Sequence, residues 1–397
     1  MSEACAGAHR VSILTGTRAD WGLLTPLATA LKASPDMDLS VVATNMHLDE
    51  RFGMTVDEIS AAGFDIGFRV PVPVADDSAS ARVHAMARTM EGMGKAFETL
   101  RPDCVVILGD RFEMFAAATT AAMMRIPIVH IAGGTVSYGA VDDSLRHGIT
   151  KLASLHLVET EEHRRRVLQM GESPDHVVVA GALGVWNIMH HELLAPSRLA
   201  ESLDGFVLKP ENSLMVTYHP ATLDDALPTE RFMDLLKALE RFPDMHILMT
   251  GANNDAGGLA INRLAARFAA DNPGRVKFVP SLGMLRYLSA LKCVGAVVGN
   301  SSSGIVEVPS MGIPTVDIGI RQKGRQCADS VIHCGDDTDS IAEAIRQAFS
   351  PEMRAKAAVT HNPYFREDTV GIMTDAIATF LKEPNTMKIF NDLPCQS

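Results

Sequence analysis

The stretch Val297–Gly312 reads VVGNSSSGIVEVPSMG and predicts a buried strand, a tight turn and a helix. Val298 ends the apolar run, and Gly299 allows the chain to turn sharply. The three serines that follow stand where the helix begins, and their hydroxyl and amide groups suit a phosphate at the positive end of the helix dipole. Glu307 follows about one turn later, where its carboxylate can accept hydrogen bonds from a diol such as ribose. A serine-capped helix with a surface glutamate remains the alternative for this segment.

The same strand-then-helix pattern runs along the whole chain. The apolar runs are short and continuous rather than alternating, which is typical of parallel strands buried on both faces. Helical periodicity is clearest at Leu23–Leu31, Arg82–Leu100 and Met114–Met124. The predicted strands are Val11–Leu14, Leu39–Ala43, Cys104–Leu108, Ile128–Ile131, Leu155–Val158, Val177–Val179, Leu214–Thr217, His246–Met249, Val276–Val279, Ala296–Val298, Thr315–Ile318 and Ser330–His333.

The length of the chain predicts two domains. At 397 residues it exceeds the roughly 250–300 at which a single hydrophobic core stops growing. Two series of strands therefore indicate two doubly wound, Rossmann-like α/β domains, residues 1–185 and 186–368. The polar segment Asn187–Asn212 is the predicted crossing between them. A helical pattern at Thr369–Leu381 suits a helix that returns to the first domain.

Composition excludes several classes of protein. Lys and Arg total 36 against 48 Asp and Glu, a net charge of −12, which argues against nucleic acid as the main partner. No apolar run approaches the roughly 18–20 residues of a membrane helix, and no secretory pattern begins the sequence. The six cysteines are scattered without a CxxC pair, so we expect reduced thiols in the cytoplasm and no metal site.

Polar residues directly after the predicted strands are where a ligand is expected. Open α/β sheets bind their ligands beyond the carboxyl ends of the strands. We therefore expect the segments at those positions to converge on one interdomain cleft. They are Thr15–Asp20, Gly109–Glu113, Gly133–Arg146, Tyr218–Thr222, Gly251–Gly258, Gly299–Glu307 and Gly319–Arg325.

The second half of the chain offers candidate phosphate and nucleotide contacts. His219 follows a strand inside YHPAT, where the next proline fixes the turn, and it is placed to donate to phosphate or to act as an acid. Arg321 stands near Lys323 and Arg325, a basic cluster in an acidic protein. Asn253, in GANNDAGG, is a polar anchor after the next strand, although turn formation explains this segment equally well.

The first half offers acids and arginines. A guanidinium directly after the first strand can bind phosphate through two parallel hydrogen bonds. Two or three carboxylates at one site are what removal and return of a proton require, although an aspartate at a helix start also acts as a cap. These residues are Arg18 in GTRADWG, Asp110 and Arg111 in GDRFE, and Asp142, Asp143 and Arg146 in DDSLRH.

With these segments in place, the chain resembles the hydrolysing UDP-N-acetylglucosamine 2-epimerases of sialic acid synthesis. It is also similar to bacterial relatives that act on diacetamido sugars for legionaminic-type acids. The match runs roughly from Val11 to Leu381, and the Arg-Ala-Asp of its first motif resembles the hydrolysing branch. The motifs that carry it are GTRADWG, GDRFE, DDSLRHGITKLASLH, ETEEHRRRVLQMGE, GALGVWNI, YHP, NNDAGG, GNSSSGIVEVPSMGIP and GIRQKGR.

The resemblance implies a GT-B type fold, two Rossmann-like domains around an interdomain cleft, with no nicotinamide or other cofactor and no obligatory metal. It implies a UDP-sugar substrate, loss of the C2 proton, anti elimination of UDP, and hydration of the resulting glycal to N-acetylmannosamine. It also implies a homo-oligomer, either a dimer or a tetramer. No nucleic acid and no membrane partner is expected.

The resemblance also assigns roles to individual residues. Asp110 and Asp142 match carboxylates thought to act in proton transfer, with Arg111 and Arg146 beside them, and we count Asp143 and His219 as further catalytic candidates. Nucleotide binding is assigned to a longer set: Arg18, His219, Ser301 and Ser302 for the diphosphate, Glu307 for the ribose hydroxyls, and Arg321 and Asn253 for the nucleotide side.

The sequence departs from the family at one place. Family members commonly carry an acid directly before or after the Gly-Gly pair, whereas this chain has Ala132 and Thr135. Glu113, Asp143 and His130 are the candidates to compensate, and a different substrate is the other explanation. Two other functions stay open at this stage, a GT-B glycosyltransferase that passes the sugar to an acceptor and a UDP-sugar-binding protein without turnover.

Overall fold

The computed structural model describes residues 7–73, 78–138, 141–220, 227–252, 257–384 and 386–392. The chain divides into two compact units. The first comprises Met1–Thr135, Asp142–Trp186 and Arg366–Ser397, and the second comprises Val136–Val141 and Asn187–Phe365. The placement of the short segment Val136–Val141 with the second unit was not anticipated from the sequence.

The first unit contains a seven-stranded parallel sheet. Its strands lie in the order β3-β2-β1-β4-β5-β6-β7, the doubly wound order of a Rossmann-like domain. The strands are β1 His9–Thr15, β2 Met37–Thr44, β3 Ile66–Val70, β4 Cys104–Leu108, β5 Ile128–Ile131, β6 Leu155–Val158 and β7 Val177–Val179. The helices are α1 Arg18–Ala33, α2 Val56–Ala61, α3 Ala79–Leu100, α4 Phe112–Met123, α5 Asp142–Leu152 and α6 Glu161–Gln169. The next helix, α7 Leu183–His190, begins in the first unit and ends in the second, which starts again at Asn187.

The second unit repeats this plan with six parallel strands in the order β10-β9-β8-β11-β12-β13. The strands are β8 Ser213–Thr217, β9 His246–Thr250, β10 Val276–Val279, β11 Ala296–Gly299, β12 Thr315–Ile318 and β13 Val331–Cys334. The helices are α8 Pro196–Ser202, α9 Pro228–Glu240, α10 Gly258–Asp271, α11 Gly283–Leu291, α12 Ser303–Val306, α13 Thr338–Ala348 and α14 Pro351–Ala358. The last helix, α15 Thr369–Lys382, packs against α1 in the first unit.

The twelve strands predicted from the sequence are all present, because each is a continuous apolar run with helices on both faces of its sheet. Side chains such as Ile13, Val106 and Val298 have no exposed surface. The strand that the sequence did not predict is β3, which lies at the sheet edge. Gly67 and Arg69 interrupt its apolar pattern, and most of its residues are only half-buried. None of the described helices is long and apolar enough to cross a membrane.

The strand order reverses at one place in each sheet. In the first sheet the reversal lies between β1 and β4, and in the second it lies between β8 and β11. In open α/β sheets a ligand binds beyond the carboxyl ends of the strands at such a switch point. The loops that follow these four strands are therefore the first place to examine for function.

Candidate active site

Asn300 ties together the two loops at the switch point of the second unit. Its side chain is buried and accepts a hydrogen bond from the backbone N–H of His219 at 2.7 Å, while its Nδ2 donates to the His219 carbonyl at 2.8 Å. Gly299 makes this approach possible, because its φ is +146° and a Cβ would lie 1.9 Å from the Thr217 carbonyl oxygen. Only glycine fits there, so Gly299 fixes where the following serines begin.

The loop after β12 joins the same arrangement. Arg321 and Gln322 both donate to the backbone carbonyl of Asn300, at 3.1 and 2.8 Å. We call Asn300, His219, Arg321 and Gln322 the switch-point clamp. Burial, with a smaller effect of the Arg321 cation, lowers the pKa of His219 to about 3. The imidazole is therefore neutral before a ligand binds, and the negative charge of a bound diphosphate would favour its protonated form.

The helix after the serines is shorter than the sequence predicted. It spans only Ser303–Val306 and continues as a 3₁₀ turn over Val308–Met311. An anion at this position would therefore depend on local hydroxyl and amide groups rather than on a long helix dipole. Among the described residues, the Ser302 side chain at the helix start makes no capping hydrogen bond. Ser301 and Ser302 are half-exposed, and Glu307 directly follows the helix.

Arg18 stands in the β1 loop of the first unit. Thr17 caps α1 by accepting a hydrogen bond from the Asp20 N–H at 3.1 Å, and Arg18 is the first residue of the helix. The Arg18 guanidinium pairs with Glu58 at 3.0 Å, and both side chains are about half exposed. Such an exposed pair is worth little, so it leaves Arg18 available to exchange partners.

A pair of acids lies behind this loop around Arg111. The Arg111 Nε donates to the fully buried Glu113 at 2.5 Å. Desolvation raises the pKa of Asp20 to about 6; the Arg111 cation opposes this shift and the Glu113 charge adds to it. The sequence pointed to both motifs that carry these residues, but it did not indicate that the two motifs interact.

Arg146 is the centre of the charged residues after β4 and β5. Its side chain is almost fully buried and donates to the carboxylate of Asp110 and, at 2.8 Å, to the backbone carbonyl of Thr135. Asp143 lies 3.6 Å from the same guanidinium and 3.5 Å from the His147 ring. We call Asp110, Arg146, Thr135 and Asp143 the arginine cluster. A buried guanidinium of this kind stabilises the ionised form of the carboxylate beside it.

Asp142 begins α5 directly before Asp143. Two acids in the first turn of this helix interact favourably with its dipole, which gives them a structural role in addition to any catalytic one. The start of α5 places Asp142 in the later part of Gly133–Arg146, the segment that the sequence selected as a place for ligand contacts.

His130 is held by hydrogen bonds inside the first unit. It is fully buried on β5, with Nε2 2.8 Å from the Gly109 carbonyl and Nδ1 3.2 Å from the Thr150 hydroxyl. Because a carbonyl only accepts, Nε2 carries the proton. Burial lowers the pKa of His130 to about 3. Burial and these hydrogen bonds weigh against the suggestion that His130 replaces the acid absent at Ala132 and Thr135, which stays a prediction.

The structure gathers the predicted residues into two groups, one at each switch point. The first unit holds Arg18, Asp110, Arg111, Asp142, Asp143 and Arg146, and the second holds His219, Ser301, Ser302, Glu307 and Arg321. Asn253 lies outside the described residues. Sequence reasoning missed Asn300, although its position directly after Gly299 was a usable signal, and it missed Glu159, which only the sheet brings to Thr135.

No group of three or more His, Cys, Asp or Glu side chains in the described parts of the chain is arranged to hold a metal ion.

Two doubly wound parallel sheets of this kind define the GT-B class of fold. A crystal structure of UDP-N-acetylglucosamine 2-epimerase from Neisseria meningitidis bound to UDP-N-acetylglucosamine matches with a TM-score of 0.77 at 17% identity, over 93% of this chain and 100% of that one.

The family of the chain follows from sequence comparison. A family model described as UDP-N-acetylglucosamine 2-epimerase matches residues 29–378. The GDP/UDP-N,N'-diacetylbacillosamine 2-epimerase (hydrolyzing) of Campylobacter jejuni is 36% identical over 342 residues, 86% of each chain. Polysialic acid biosynthesis protein P7 of Escherichia coli is 33% identical over 97% of this chain and 98% of that one. The chain belongs to the UDP-N-acetylglucosamine 2-epimerase family.

Proposed function

We propose that the chain is a hydrolysing 2-epimerase of a UDP-2-acetamido sugar. The observation that carries the proposal is the arginine cluster, in which Arg146 holds Asp110 at the carboxyl edge of the first sheet. A carboxylate fixed in position by a buried arginine is placed to accept a proton, and family membership supplies the substrate on which it acts.

We assign the nucleotide to the clamp loops and to Arg18. His219, Ser301 and Ser302 bind the diphosphate together with Arg18, Glu307 accepts from the ribose hydroxyls, and Arg321 and Asn253 serve the nucleotide side. Support comes from the half-exposed hydroxyls of Ser301 and Ser302, which stand at a switch point. The Arg18–Glu58 pair opens at small cost when a diphosphate competes for the guanidinium.

The chemistry begins with removal of the proton at C2. Asp110 takes this proton, the electron pair of the C2–H bond forms the C1=C2 double bond, and the bond from C1 to the diphosphate breaks. The C2 proton is weakly acidic, so the reaction needs strong stabilisation of the leaving diphosphate. Arg18, His219 and the local amides and hydroxyls after Gly299 supply that stabilisation. Water then adds across the double bond, which completes the hydrolysis.

The identity of the sugar, the product, the cellular location and the oligomeric state are also proposals. The names of the relatives favour an acetamido sugar and a product of the N-acetylmannosamine type for sialic or related acids. The described cysteines Cys104, Cys293, Cys327 and Cys334 are free thiols, which is consistent with the predicted cytoplasmic location. A homo-oligomeric state, dimer or tetramer, also stays a prediction.

The test uses the purified chain in heavy water with UDP-N-acetylglucosamine and UDP-N,N'-diacetylbacillosamine in parallel. We expect release of UDP together with a 2-epimerised free sugar that carries deuterium at C2. A product without deuterium at C2 would contradict elimination through the glycal. Release of UDP only after addition of an acceptor would replace the proposal by a glycosyltransferase, and tight UDP binding without turnover would replace it by a binding protein.

A further inference from the structure

Thr135 lies beside a carboxylate from the neighbouring strand. The Thr135 hydroxyl donates to Glu159 Oε2 at 3.4 Å and lies 3.3 Å from His163 Nδ1. By the family resemblance, position 135 is one of the two places, with Ala132, where an acid is expected and this chain has none. The Glu159 carboxylate therefore lies beside position 135, 3.4 Å from the hydroxyl that stands there in place of an acid.

The fold explains why a residue so distant in sequence arrives there. β6 pairs with β5 in parallel, Ile131 beside Leu157, and Glu159 follows β6 as the Gly-Gly turn follows β5. Gly134 presses this turn against α6, because a Cβ on it would lie 2.5 Å from the His163 carbonyl oxygen. Glu159 is thus at the same edge of the sheet as Asp110, which follows β4.

Glu159 also belongs to the hydrogen-bonded surroundings of Asp110. Arg146 donates both to Asp110 and to the Thr135 backbone carbonyl, and the Thr135 side chain donates to Glu159. The Glu159 side chain is 14% exposed, so it is mostly desolvated yet open to a ligand. His163 Nδ1 lies 3.6 Å from the same carboxylate oxygen and is itself buried at the start of α6.

We infer that Glu159 supplies the second proton-transfer group of the reaction and replaces the acid absent at Ala132 and Thr135. This inference rests on the proposed function. Inversion at C2 requires that the proton be removed from one face of the sugar and returned to the other, so one carboxylate in one position does not suffice. Asp110, held by Arg146, removes the proton, and Glu159 returns one to the opposite face.

The second half of the reaction balances with this assignment. The glycal takes a proton from Glu159 as the C1=C2 electron pair forms the new C2–H bond. A water oxygen bonds to C1, and the surplus proton of that water restores the Glu159 carboxyl group. The proton that Asp110 took from C2 leaves to solvent after UDP departs.

The test uses variants to separate the two halves of the reaction, elimination of UDP and conversion of the glycal to the free sugar. For Glu159→Gln we expect UDP release to continue with accumulation of the 2-acetamidoglucal, while formation of the free sugar falls by about 10²- to 10⁴-fold. Asp110→Asn should stop both steps. Glu161→Gln, an exposed carboxylate two residues along, is the matched control and should match the wild type in both.

A relocated carboxylate guards against a purely structural effect. The double variant Thr135→Glu/Glu159→Thr should recover free-sugar formation relative to Glu159→Gln, because it returns the acid from the other strand. If Glu159→Gln forms free sugar at the wild-type rate, the inference is overturned while the proposed function stands. The same holds if Glu159→Gln loses both half-reactions but keeps its affinity for UDP. A wild-type protein inactive on both UDP-sugars would instead contradict the proposed function.

Discussion

The switch-point clamp of the second unit and the arginine cluster of the first are built on different physical principles. The clamp is held by Asn300, whose side chain makes neutral hydrogen bonds to backbone groups of His219. The arginine cluster is held by a buried charge, with Arg146 donating to Asp110. In the proposed function, the clamp fixes positions for a ligand that brings its own charge, whereas the arginine cluster positions the carboxylate that reacts. Substitutions should therefore affect binding in one region and chemistry in the other.

The largest expected effect comes from removing the charge of Asp110. In Asp110→Asn the Arg146 contact keeps its shape but the base is lost, so turnover should fall about a thousandfold or more. UDP affinity should change little, because the clamp is untouched. Steady-state UDP release and calorimetric titration with UDP measure the two quantities. A variant that keeps wild-type turnover would remove Asp110 from the mechanism.

The first unit contains a further buried charged group, the Glu172 carboxylate. Its pKa predicts how the stability of the protein depends on pH. Burial alone would raise the pKa of Glu172, but hydrogen bonds from His156, Lys151 and Lys388 hold it at about 2. This group stabilises the fold above about pH 4.5, and that contribution, about 3 kcal/mol, is lost as pH falls toward 2.

Glu172→Gln should therefore be less stable than the wild type at pH 7 and should flatten the acid branch of the profile. Thermal unfolding between pH 2 and pH 7 measures both. If the wild type and Glu172→Gln lose stability in parallel below pH 4.5, the charge of Glu172 is not what holds this region. Glu161→Gln, on an exposed face of the same unit, is the control and should keep the wild-type profile.

Removal of the Asn300 side chain should disturb the second unit in a different way. Asn300→Ala breaks two short hydrogen bonds in a buried position, which should lower the free energy of unfolding by about 2–3 kcal/mol. UDP affinity should fall about tenfold, because the His219 and Ser301 loops lose their common anchor. Asn212→Ala, which removes one long contact of 3.4 Å, should leave both within error. Unchanged UDP affinity in Asn300→Ala would separate the clamp from nucleotide binding.

The smallest effects compare the helix starts of the two units. Thr17 caps α1, so Thr17→Ala should cost about 1 kcal/mol of unfolding free energy, while Thr17→Ser should not. Ser302 makes no such capping bond, so Ser302→Ala should leave stability within about 0.5 kcal/mol and weaken UDP binding. Chemical denaturation and UDP titration of both variants decide this. A stability loss in Ser302→Ala equal to that in Thr17→Ala would give Ser302 a structural role instead.

Much of the fold could be predicted from the sequence, because strands buried on both faces appear in it as continuous apolar runs. The exception shows the limit of that signal. β3 lies at the edge of the sheet, where it pairs with only one strand and is less buried. Gly67 and Arg69 interrupt the apolar run by which a strand is recognised. The length of α12 was also misjudged, since Pro309 permits the change to a 3₁₀ turn that periodicity does not register.

For the site, the sequence alone determined the candidates that follow strand ends, from Arg18 and Asp110 to Ser301 and Arg321. Their position after an apolar run is a local property, and local properties can be read along the chain. Only the tertiary structure decided which of these residues touch. Arg146 meets Asp110 across 36 positions, and Thr135 meets Glu159 across 24, because parallel strands bring together loops that are distant in sequence. Glu159, the acid that we infer replaces the one absent at the Gly-Gly turn, follows the neighbouring strand β6, and strand pairing is a non-local property.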